Sequence, residues 1–482
     1  MQRADEIRDV TRRRIEIFGD AGDAWHFAAS LKSISEDTAQ EYEGRAVLEL
    51  IQNGHDAIGS DRSGRIHVLL NLEDGEPALY VANDGAPFRS VNFLAIIGFG
   101  LSDKSAGEGI GNKGLGFRSV LLLTDRPEVY SRDPDNPADR RFSGYSFRFP
   151  TDHEMAGLTE DEQLGKRLVA EVSPLDLPVP ASVEDPEVLR FGSEGFATVI
   201  KLPLRDNIAA ADARRQIDAL TSAEAPILLF LSRITSLELT VRPGGQNVET
   251  VSLTRSESPA SLLAPESDWV SDVDLGSQGR YLLARRQTSP QMLRDAIRRS
   301  VAGRQVDARW LDWDGESWVG VALPLGEPRG PGTIYTFLPM QEPAPLVAHV
   351  HAPFFTKLAR REFGLDVPLN EYLMGEIAAT CLRLMRALRQ AGDHEAVAPL
   401  VVDLSAWSPP HHVFLSRACV DAGSTLETEK FVPVAGKSDW SCLRDAYVWP
   451  LRLEALSVIS AQTLGALDFP ILDPQVSATG EY

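Results

Sequence analysis

An α/β fold is predicted for this chain, because strand-like and helix-like segments alternate along roughly its first 240 residues. The apolar stretches "RIHVLLNL" (65–72) and "ALYVAN" (78–83) have strand composition and are joined by the turn-forming "EDGEP". A helix is predicted from near Glu41 to Ile58, and another strong strand in "FATVIKLPL" (196–204). Helices packed on one sheet give an α+β two-layer sandwich.

The other elements follow from composition and apolar periodicity. Further helices are predicted over residues 1–34, 117–125, 213–232 and 369–390. Residues 151–195, which are acidic and rich in proline, are predicted to form a surface excursion. Strand-like pieces recur from about 245 to 340, and the last 90 residues mix proline, tryptophan and short apolar pieces.

Length and charge limit the classes of function. A chain of 482 residues exceeds one hydrophobic core and suggests roughly two to four domains. The 48 Lys+Arg against 69 Asp+Glu give a net charge of -21, which repels polyanions. A broad nucleic-acid surface is therefore not expected. A small triphosphate site remains compatible, because it needs only a few local donors.

The cysteines and the apolar runs indicate a cytoplasmic protein. Cys381, Cys419 and Cys442 are widely spaced and odd in number, so neither a disulfide framework nor a zinc pattern follows. The charged N-terminus has no signal-peptide core, and runs such as "APILLFL" are far too short to span a membrane. We expect no membrane partner.

The stretch "ELIQNGHDAI" (49–58) carries three polar residues at helical spacing. At about 100° per residue, Asn53 lies roughly 40° from Glu49, and Asp56 roughly 20° on its other side. Val47 and Ile51 project the opposite way. Such a narrow stripe, taken alone, is typical of the solvated face of a surface helix.

The stretch "ALYVANDGAPF" places polar residues at the end of a strand. Asn83 or Asp84 there can accept a hydrogen bond from the exocyclic amine of a purine, and Gly85 lets the backbone approach the ring. The same "NDG" is also an ordinary turn signal.

A glycine-dense run, "GEGIGNKGLGFRSV" (107–120), leads directly into a predicted helix. Its backbone N–H groups can wrap phosphate oxygens, and a helix N-terminus favours an anion. Lys113 adds a positive charge within the run, although a flexible linker is the alternative interpretation. Neither the P-loop pattern nor a dinucleotide fingerprint is present.

The order of these motifs (helix E-x-x-x-N-x-x-D, strand N-D-G, glycine run, helix) resembles the Bergerat-type (GHKL) ATPase fold of gyrase, the heat-shock chaperone and histidine kinases. "LELIQNGHDA", "IGFGLSDK" and "IGNKGLGFRSVLLLTDRPEVYS" resemble the ATPase domain of sacsin and of the plant NO VEIN-type proteins. Later pieces such as "FLPM" and "LVAHVHAPFF" resemble the continuation of the sacsin repeat module. The likeness covers roughly residues 30–390 and is strongest between 45 and 131.

This resemblance implies a domain organisation and a chemistry. It implies a GHKL ATPase domain with an N-terminal helical segment (1–240), a chaperone-middle-like α/β domain (241–392) and a small C-terminal α/β extension (393–482). The extension ends without a clear terminal element, as expected for a piece of a longer protein. ATP and Mg²⁺ are the implied substrate and cofactor.

The resemblance also implies roles for the polar stripe. Glu49 matches the general base that polarises the attacking water. Asn53 matches the amide that binds Mg²⁺, and Asp56 matches a position that lines the base and ribose. The adenine-reading aspartate of the family is replaced by Asn83, with Asp84 next, so either residue can have the role.

The remaining nucleotide contacts are implied by position. They are Gly85, Lys104, Gly109, Gly111, Asn112, Lys113, Gly114, Leu115, Gly116, Phe117 and Arg205. Arg205 can equally be a surface residue at a strand end. Arg360 and Arg361 are candidates for a cation that reaches the γ-phosphate, or they flank a surface loop. His349 and His351 form H-x-H, but no third metal ligand is evident.

Two functions follow as expectations. The first is a weak ATPase that uses lid closure as a chaperone-like conformational switch, with a protein client, an effector subunit or a second copy as partner. The alternative is a nucleotide-sensing module of a larger assembly, such as a bacterial defence system, with slight turnover. A histidine kinase is disfavoured, because no coiled coil with a phospho-accepting histidine is visible.

Overall fold

Two compact units make up the chain in the computed structural model. The first unit comprises Met1–Ser222 and Pro226–Arg255, and the second comprises Ala223–Ala225 and Ser256–Tyr482. The structure describes residues 2–20, 24–41, 43–73, 75–98, 116–136, 138–264, 267–313, 317–326, 330–356, 364–391, 393–447, 460–467 and 469–472. Both units combine helices with mixed sheets, so the protein has an α/β architecture.

The first unit contains helices around one large sheet. Its α-helices are α1 (Gln2–Gly19), α2 (Ala24–Glu41), α3 (Ala46–Ala57), α4 (Ser90–Ile97), α5 (Asp152–Ala156), α6 (Glu162–Glu171), α7 (Pro186–Ser193) and α8 (Asn207–Leu220). A 3₁₀ helix spans Gly116–Leu122. Its strands are β1 (Gly64–Asn71), β2 (Ala78–Asn83), β3 (Glu128–Ser131), β4 (Ser146–Arg148), β5 (Val179–Pro180), β6 (Thr198–Pro203), β7 (Ile234–Arg242) and β8 (Glu249–Thr254).

The strands form a single sheet in the order β5-β4-β3-β6-β2-β1-β7-β8. β1 is antiparallel to β2 but parallel to β7, which is far away in sequence. β2 pairs on its other side with β6, and Asn83 lies opposite Thr198. All six residues of β2 are buried, as expected for a central strand covered on both faces.

Different helices cover the two faces of β2. Tyr80 and Ala82 belong to a buried cluster that includes Phe191 of α7. On the other side, the ideal Cβ position of Gly54 in α3 lies 3.3 Å from Asn83 Cβ. Because successive strand residues point to opposite faces, α3 covers one face of β2 and α7 covers the other.

Gly44 separates two helices at the point where one was predicted to begin. α2 ends at Glu41, Gly44 has a φ of +75°, and α3 begins at Ala46. Glycine adopts a positive φ without steric cost, and this conformation interrupts a right-handed helix. The predicted start near Glu41 is therefore wrong, whereas Ile58 is the C-cap of α3.

Residues 151–195 do not form the predicted surface excursion. They contain α5, α6 and α7, and Met155 packs with Trp25 of α2 in a buried cluster. Several of the acidic residues act as helix caps: Asp161 and Asp185 accept backbone N–H groups at the starts of α6 and α7. These acids therefore mark helix N-termini, where a carboxylate is favoured.

The helix predicted over 213–232 is wrong in its second half: α8 spans Asn207–Leu220 and does not continue to residue 232. Pro226 lacks a backbone N–H and disfavours helical geometry in the residue before it. The Leu229 N–H donates to the Pro226 carbonyl at 3.3 Å in a turn. The apolar run that suggested a helix, residues 227–231, is buried in turn conformation.

The second unit is built on a seven-stranded sheet in the order β14-β13-β15-β12-β11-β10-β9. Its strands are β9 (Ser256–Pro259), β10 (Val270–Asp274), β11 (Arg280–Gln287), β12 (Trp318–Pro324), β13 (Thr333–Thr336), β14 (Leu338–Pro343) and β15 (His349–His351), and β16 (Lys430–Pro433) pairs separately with β17 (Trp440–Cys442). Its helices are α9 (Pro290–Ala302), α10 (Pro368–Gln390), α11 (His394–Ser405), α12 (His412–Asp421) and α13 (Ala461–Gly465).

α10 is the central helix of the second unit. It contacts β11 and β12 as well as α9, α11 and α12. Twelve of its residues are buried, among them Leu373 and Ile377. The helix predicted over 369–390 is confirmed. No helix within the described ranges is both long and apolar enough to cross a bilayer.

Candidate functional site

α3 carries the polar stripe, and a hydrogen bond to α8 holds the N-terminus of α3. The N-cap residue, Arg45, makes no side-chain capping bond. Instead, Gln216 of α8 accepts a hydrogen bond from the Val47 N–H at 2.9 Å. This bond satisfies one of the backbone donors that a helix N-terminus leaves open, and it holds the first turn of α3, which contains Glu49.

Glu49 is buried, with only 3% of its surface exposed. Within the described chain, its Oε1 atom has no hydrogen-bond partner. Burying a carboxylate oxygen without a hydrogen-bond partner costs at least about 1–3 kcal/mol of folding free energy. The structure therefore keeps an energetically unfavourable group on α3.

Gly116 lies directly against this carboxylate. A Cβ atom added at Gly116 would overlap Glu49 Oε2 and lie 3.2 Å from Glu49 Cδ. Only glycine fits at this position without displacing the carboxylate. The last glycine of the run thus lies against Glu49.

The segment after Gly116 is helical, but it is not the predicted α-helix. It forms a 3₁₀ helix over Gly116–Leu122, and Ser119 Oγ donates to the Gly116 carbonyl at 2.7 Å. A serine side chain that bonds a nearby carbonyl competes with α-helical pairing. Phe117 is buried, with 8% exposed, so the segment is anchored in the core immediately after the run.

Asp176 and two arginines connect α1, the end of α4 and the 3₁₀ helix. Arg14 of α1 donates to the carbonyl of Ile97, the last residue of α4, at 3.0 Å and to the Asp176 carbonyl at 2.6 Å. Arg118 of the 3₁₀ helix has its Nη2 4.0 Å from Asp176 Oδ1. Burial lowers the pKa of both arginines and raises the pKa of Asp176. Sequence reasoning missed this arrangement, because no local pattern connects the three residues.

The polar stripe of α3 is not a solvated face. The Asp56 side chain is 4% exposed, and its Oδ1 lies 3.4 Å from His55 Nδ1. Asn53, one turn after Glu49, is half-buried. The stripe therefore faces the interior of the unit, and the alternative of a wet surface helix is wrong.

Asn83 and Gly85 join the end of β2 to the end of α3. Asn83 is 6% exposed, and its Oδ1 accepts the Gly85 N–H at 3.1 Å. A Cβ atom at Gly85 would lie 2.6 Å from the backbone carbon of Ala57. The Ala86 N–H donates to the Ala57 carbonyl at 2.7 Å. The "NDG" turn is therefore packed onto α3 beside the stripe.

Asp84 has different partners from Asn83. Its Oδ1 accepts the backbone N–H of Arg65 at 3.0 Å and lies 3.5 Å from Arg62 Nη2. Its Oδ2 lies 3.6 Å from Arg65 Nε. These contacts occupy the Asp84 carboxylate at the start of β1, whereas Asn83 lies against α3.

Two residues that sequence reasoning did not select extend the polar edge beside Asn83. Thr198 of β6 is opposite Asn83, and Ser131 of β3 is opposite Thr198. Directly opposed residues project from the same face of a sheet. Thr198 is 1% exposed, and its hydroxyl lies 3.3 Å from that of Ser131. Only the strand register brings these residues together.

The other predicted site residues are placed elsewhere or lie outside the described residues. Arg205 donates to the Leu121 carbonyl and pairs with Asp125 at 2.6 Å, at the opposite end of the 3₁₀ helix from Gly116. The residues outside the described ranges are Lys104, Gly109, Gly111, Asn112, Lys113, Gly114, Leu115, Arg360 and Arg361.

His349 and His351 are packed within the second sheet. His349 Nδ1 accepts the Thr333 N–H and His351 Nδ1 accepts the Phe337 N–H, both at 3.1 Å. Burial lowers the pKa of His349 to about 4 and that of His351 to about 3. Among the described residues no group of three potential metal ligands occurs. Both rings therefore stay neutral and act as hydrogen-bond acceptors in the core.

No protein-family model matches the chain. Protein NO VEIN of Arabidopsis thaliana is 28% identical over 190 residues, which are 39% of this chain and 6% of that protein. The chain thus matches only a small part of that much longer relative. The similarity supports a NO VEIN-like relationship for the matched part of the chain.

Proposed function

We propose that the first unit binds ATP with Mg²⁺ beside α3, hydrolyses it slowly and uses the bound nucleotide as a conformational switch. The observation that carries the proposal is the buried carboxylate of Glu49, whose Oε1 has no partner in the described chain and whose Oε2 faces Gly116. A buried carboxylate oxygen without a hydrogen-bond partner marks a candidate functional group, because stability alone would favour an apolar residue there. The resemblance of the motifs to GHKL ATPases supplies the substrate.

The chemistry assigned to α3 is hydrolysis of a phosphoanhydride. Glu49 accepts a proton from the attacking water, which increases its nucleophilicity toward the γ-phosphate. The Asn53 carbonyl oxygen, one turn further on, is of the ligand type that suits Mg²⁺, and the bound cation would neutralise phosphate charge. Gly116 has no side chain that would displace the carboxylate.

We assign adenine recognition to Asn83 rather than to Asp84. The Asn83 oxygen accepts one hydrogen bond, from Gly85, and a carbonyl oxygen can accept a second. The Asp84 carboxylate is already engaged by Arg62 and Arg65. Thr198, on the same sheet face as Asn83, adds a hydroxyl at the proposed adenine end.

Calorimetry on the full chain tests binding. We expect ATP to bind in the presence of Mg²⁺, and Asn53→Ala to weaken that binding at least tenfold because an anchor of the metal and phosphates is lost. Asn207→Ala, the same change at an exposed position of α8, is the matched control and should bind like the unchanged protein. Absence of heat with any adenine nucleotide at millimolar concentration would refute the proposal.

Turnover assays test the role of Glu49. Glu49→Ala should retain ATP affinity and lose hydrolysis by roughly 10²–10⁴-fold, the usual effect of removing a general base. Single-turnover and steady-state rates measured together separate an ATPase from a nucleotide sensor: a sensor would bind ATP while showing almost no hydrolysis in either assay.

A further inference from the structure

The second unit contains a cleft of about 590 Å³ whose lining includes none of the residues of the proposed ATP site. It lies between β11, α9, α10 and α12. Pockets of roughly 300–1,000 Å³ are typical of small-molecule sites. Apolar side chains in the lining include Met292, Leu382 and Phe414.

The cleft concentrates positive charge in an acidic protein. Five arginines line it against three carboxylates, whereas the whole chain has 48 basic and 69 acidic residues. The arginines are Arg286, Arg299, Arg383, Arg386 and Arg417, and the carboxylates are Glu371, Glu376 and Asp421. A concave surface with an excess of one charge focuses its potential and attracts ligands of the opposite charge.

Three of the five arginines are neutralised by ion pairs. Arg286 lies 3.3 Å from Glu376, Arg417 lies 2.8 Å from Glu371, and Arg386 lies 2.7 Å from Glu429. These pairs hold the walls of the cleft in place and leave their charges balanced. With these three pairs set aside, two arginines and the Asp421 carboxylate remain in the lining, an excess of one positive charge.

Arg299 of α9 and Arg383 of α10 have no carboxylate within 4.0 Å in the described part of the chain. Arg383 lies over the ring of Trp269, with its Cζ 4.0 Å from the ring centroid. Stacking on an aromatic face fixes the guanidinium plane and leaves its N–H edges available. Two guanidinium groups from different helices thus line one cavity with donor capacity to spare.

Gly375 leaves room for a side chain at the surface of the cleft. It lies within α10 and lines the cleft, and a Cβ atom added there would meet nothing within 4 Å. Glycine inside a helix is less favourable than alanine by about 1 kcal/mol. The protein's own packing does not require a glycine here. The open space above it is available to a ligand.

We propose that this cleft binds a small multivalent oxyanion, a phosphate- or carboxylate-bearing molecule of up to nucleotide size, between Arg299 and Arg383. Guanidinium groups pair with such oxyanions through two parallel N–H···O bonds. The apolar side chains of the lining contact the non-ionic part of the ligand. The site is separate from the proposed ATP site and does not depend on it.

Calorimetry on the full chain, without added magnesium, tests this site with inorganic pyrophosphate and with citrate. The two probes have similar charge and distinguish a phosphate from a carboxylate ligand. Arg299→Ala and Arg383→Ala should each weaken binding of the preferred probe at least tenfold. Arg294→Ala is the matched control, because Arg294 is an exposed arginine of α9 outside the cleft.

A second pair of variants separates ligand exclusion from misfolding. Gly375→Glu puts a negative charge into the cleft and should abolish binding. Gly375→Ala should fold at least as stably as the unchanged protein and bind within about twofold of it. Failure of both probes to bind at millimolar concentration, or equal affinity in the Arg299→Ala and Arg294→Ala variants, would overturn the proposal.

Discussion

Replacing Glu49 with methionine should stabilise the first unit. Methionine has nearly the shape of glutamate but carries no charge, so the change removes a buried carboxylate with an unpartnered Oε1. An unsatisfied buried polar group costs about 1–3 kcal/mol, and exchanging a buried charge for an apolar group of similar volume is often stabilising. We expect a gain of about 1–2 kcal/mol in the free energy of unfolding, together with loss of the proposed ATPase activity.

The measurement uses a fragment that ends at Arg255, the last residue of the first unit. Trp25 is the single tryptophan in this stretch of sequence and is 3% exposed, so its fluorescence reports the unfolding of the unit. Urea unfolding should shift to a higher midpoint with an unchanged slope. In a unit of this size, about 1 kcal/mol corresponds to a rise of about 2–4 °C in Tm.

Gln216→Met is the matched control, because it should have the opposite effect. Gln216 is also buried, but its Oε1 accepts the Val47 N–H and its Nε2 donates to Asp212. Methionine there leaves a helix N–H without an acceptor and should cost about 1–2 kcal/mol. If Glu49→Met destabilised the fragment as much as Gln216→Met does, Glu49 would be a structural residue and the reasoning would be refuted.

Three more outcomes are expected. Gly85→Ala should lower the stability of the first unit by about 1–3 kcal/mol in urea unfolding, because its Cβ meets Ala57 backbone that cannot move aside. Gly157→Ala in the same unit, where the nearest atom to an added Cβ is 3.5 Å away, should change stability by under about 0.5 kcal/mol. Burial lowers the pKa of His351 to about 3, so the unfolded chain takes up a proton below about pH 6.5 that the folded chain does not. This histidine alone should contribute a loss of up to about 1.4 kcal/mol of stability per pH unit as the pH drops from 6.5 toward 3, and urea unfolding of a His351→Gln variant should show a correspondingly weaker pH dependence. The fragment ending at Arg255 should bind ATP but hydrolyse it far more slowly than the full chain; equal rates would show that the second unit contributes nothing to the chemistry.

Local sequence patterns predicted the elements that local forces determine. Strand composition identified β2 over 78–83 with its observed bounds and β1 over 65–72 to within one residue. Where proline, glycine or a cap decided the outcome, prediction was weaker. The helix predicted over 213–232 ends at Leu220, before Pro226, and Gly44 lies between α2 and α3, where a single helix was predicted to begin. The acids between 151 and 195 include helix caps.

The candidate site was predictable only in part, for a similar reason. The stripe of Glu49, Asn53 and Asp56 is a local pattern, because helical spacing alone places the three residues on one face of α3. Thr198 comes beside Asn83 through strand register alone, and Asp176 meets Arg14 and Arg118 through tertiary packing. Long-range contacts of this kind leave no periodic signal in a single sequence.

The parallel pairing of β1 with β7 has a consequence for synthesis of the protein on the ribosome. β1 ends at Asn71 and its partner begins at Ile234, so about 160 residues must be translated before the pair can form. At roughly 5–20 residues per second, the nascent chain exposes one edge of β1, whose residues 66–70 are buried in the folded protein, for about 10–30 s. Unpaired strand edges promote aggregation. Chaperones that bind nascent chains should therefore raise the yield of folded protein, and slower translation between residues 72 and 233 should reduce it.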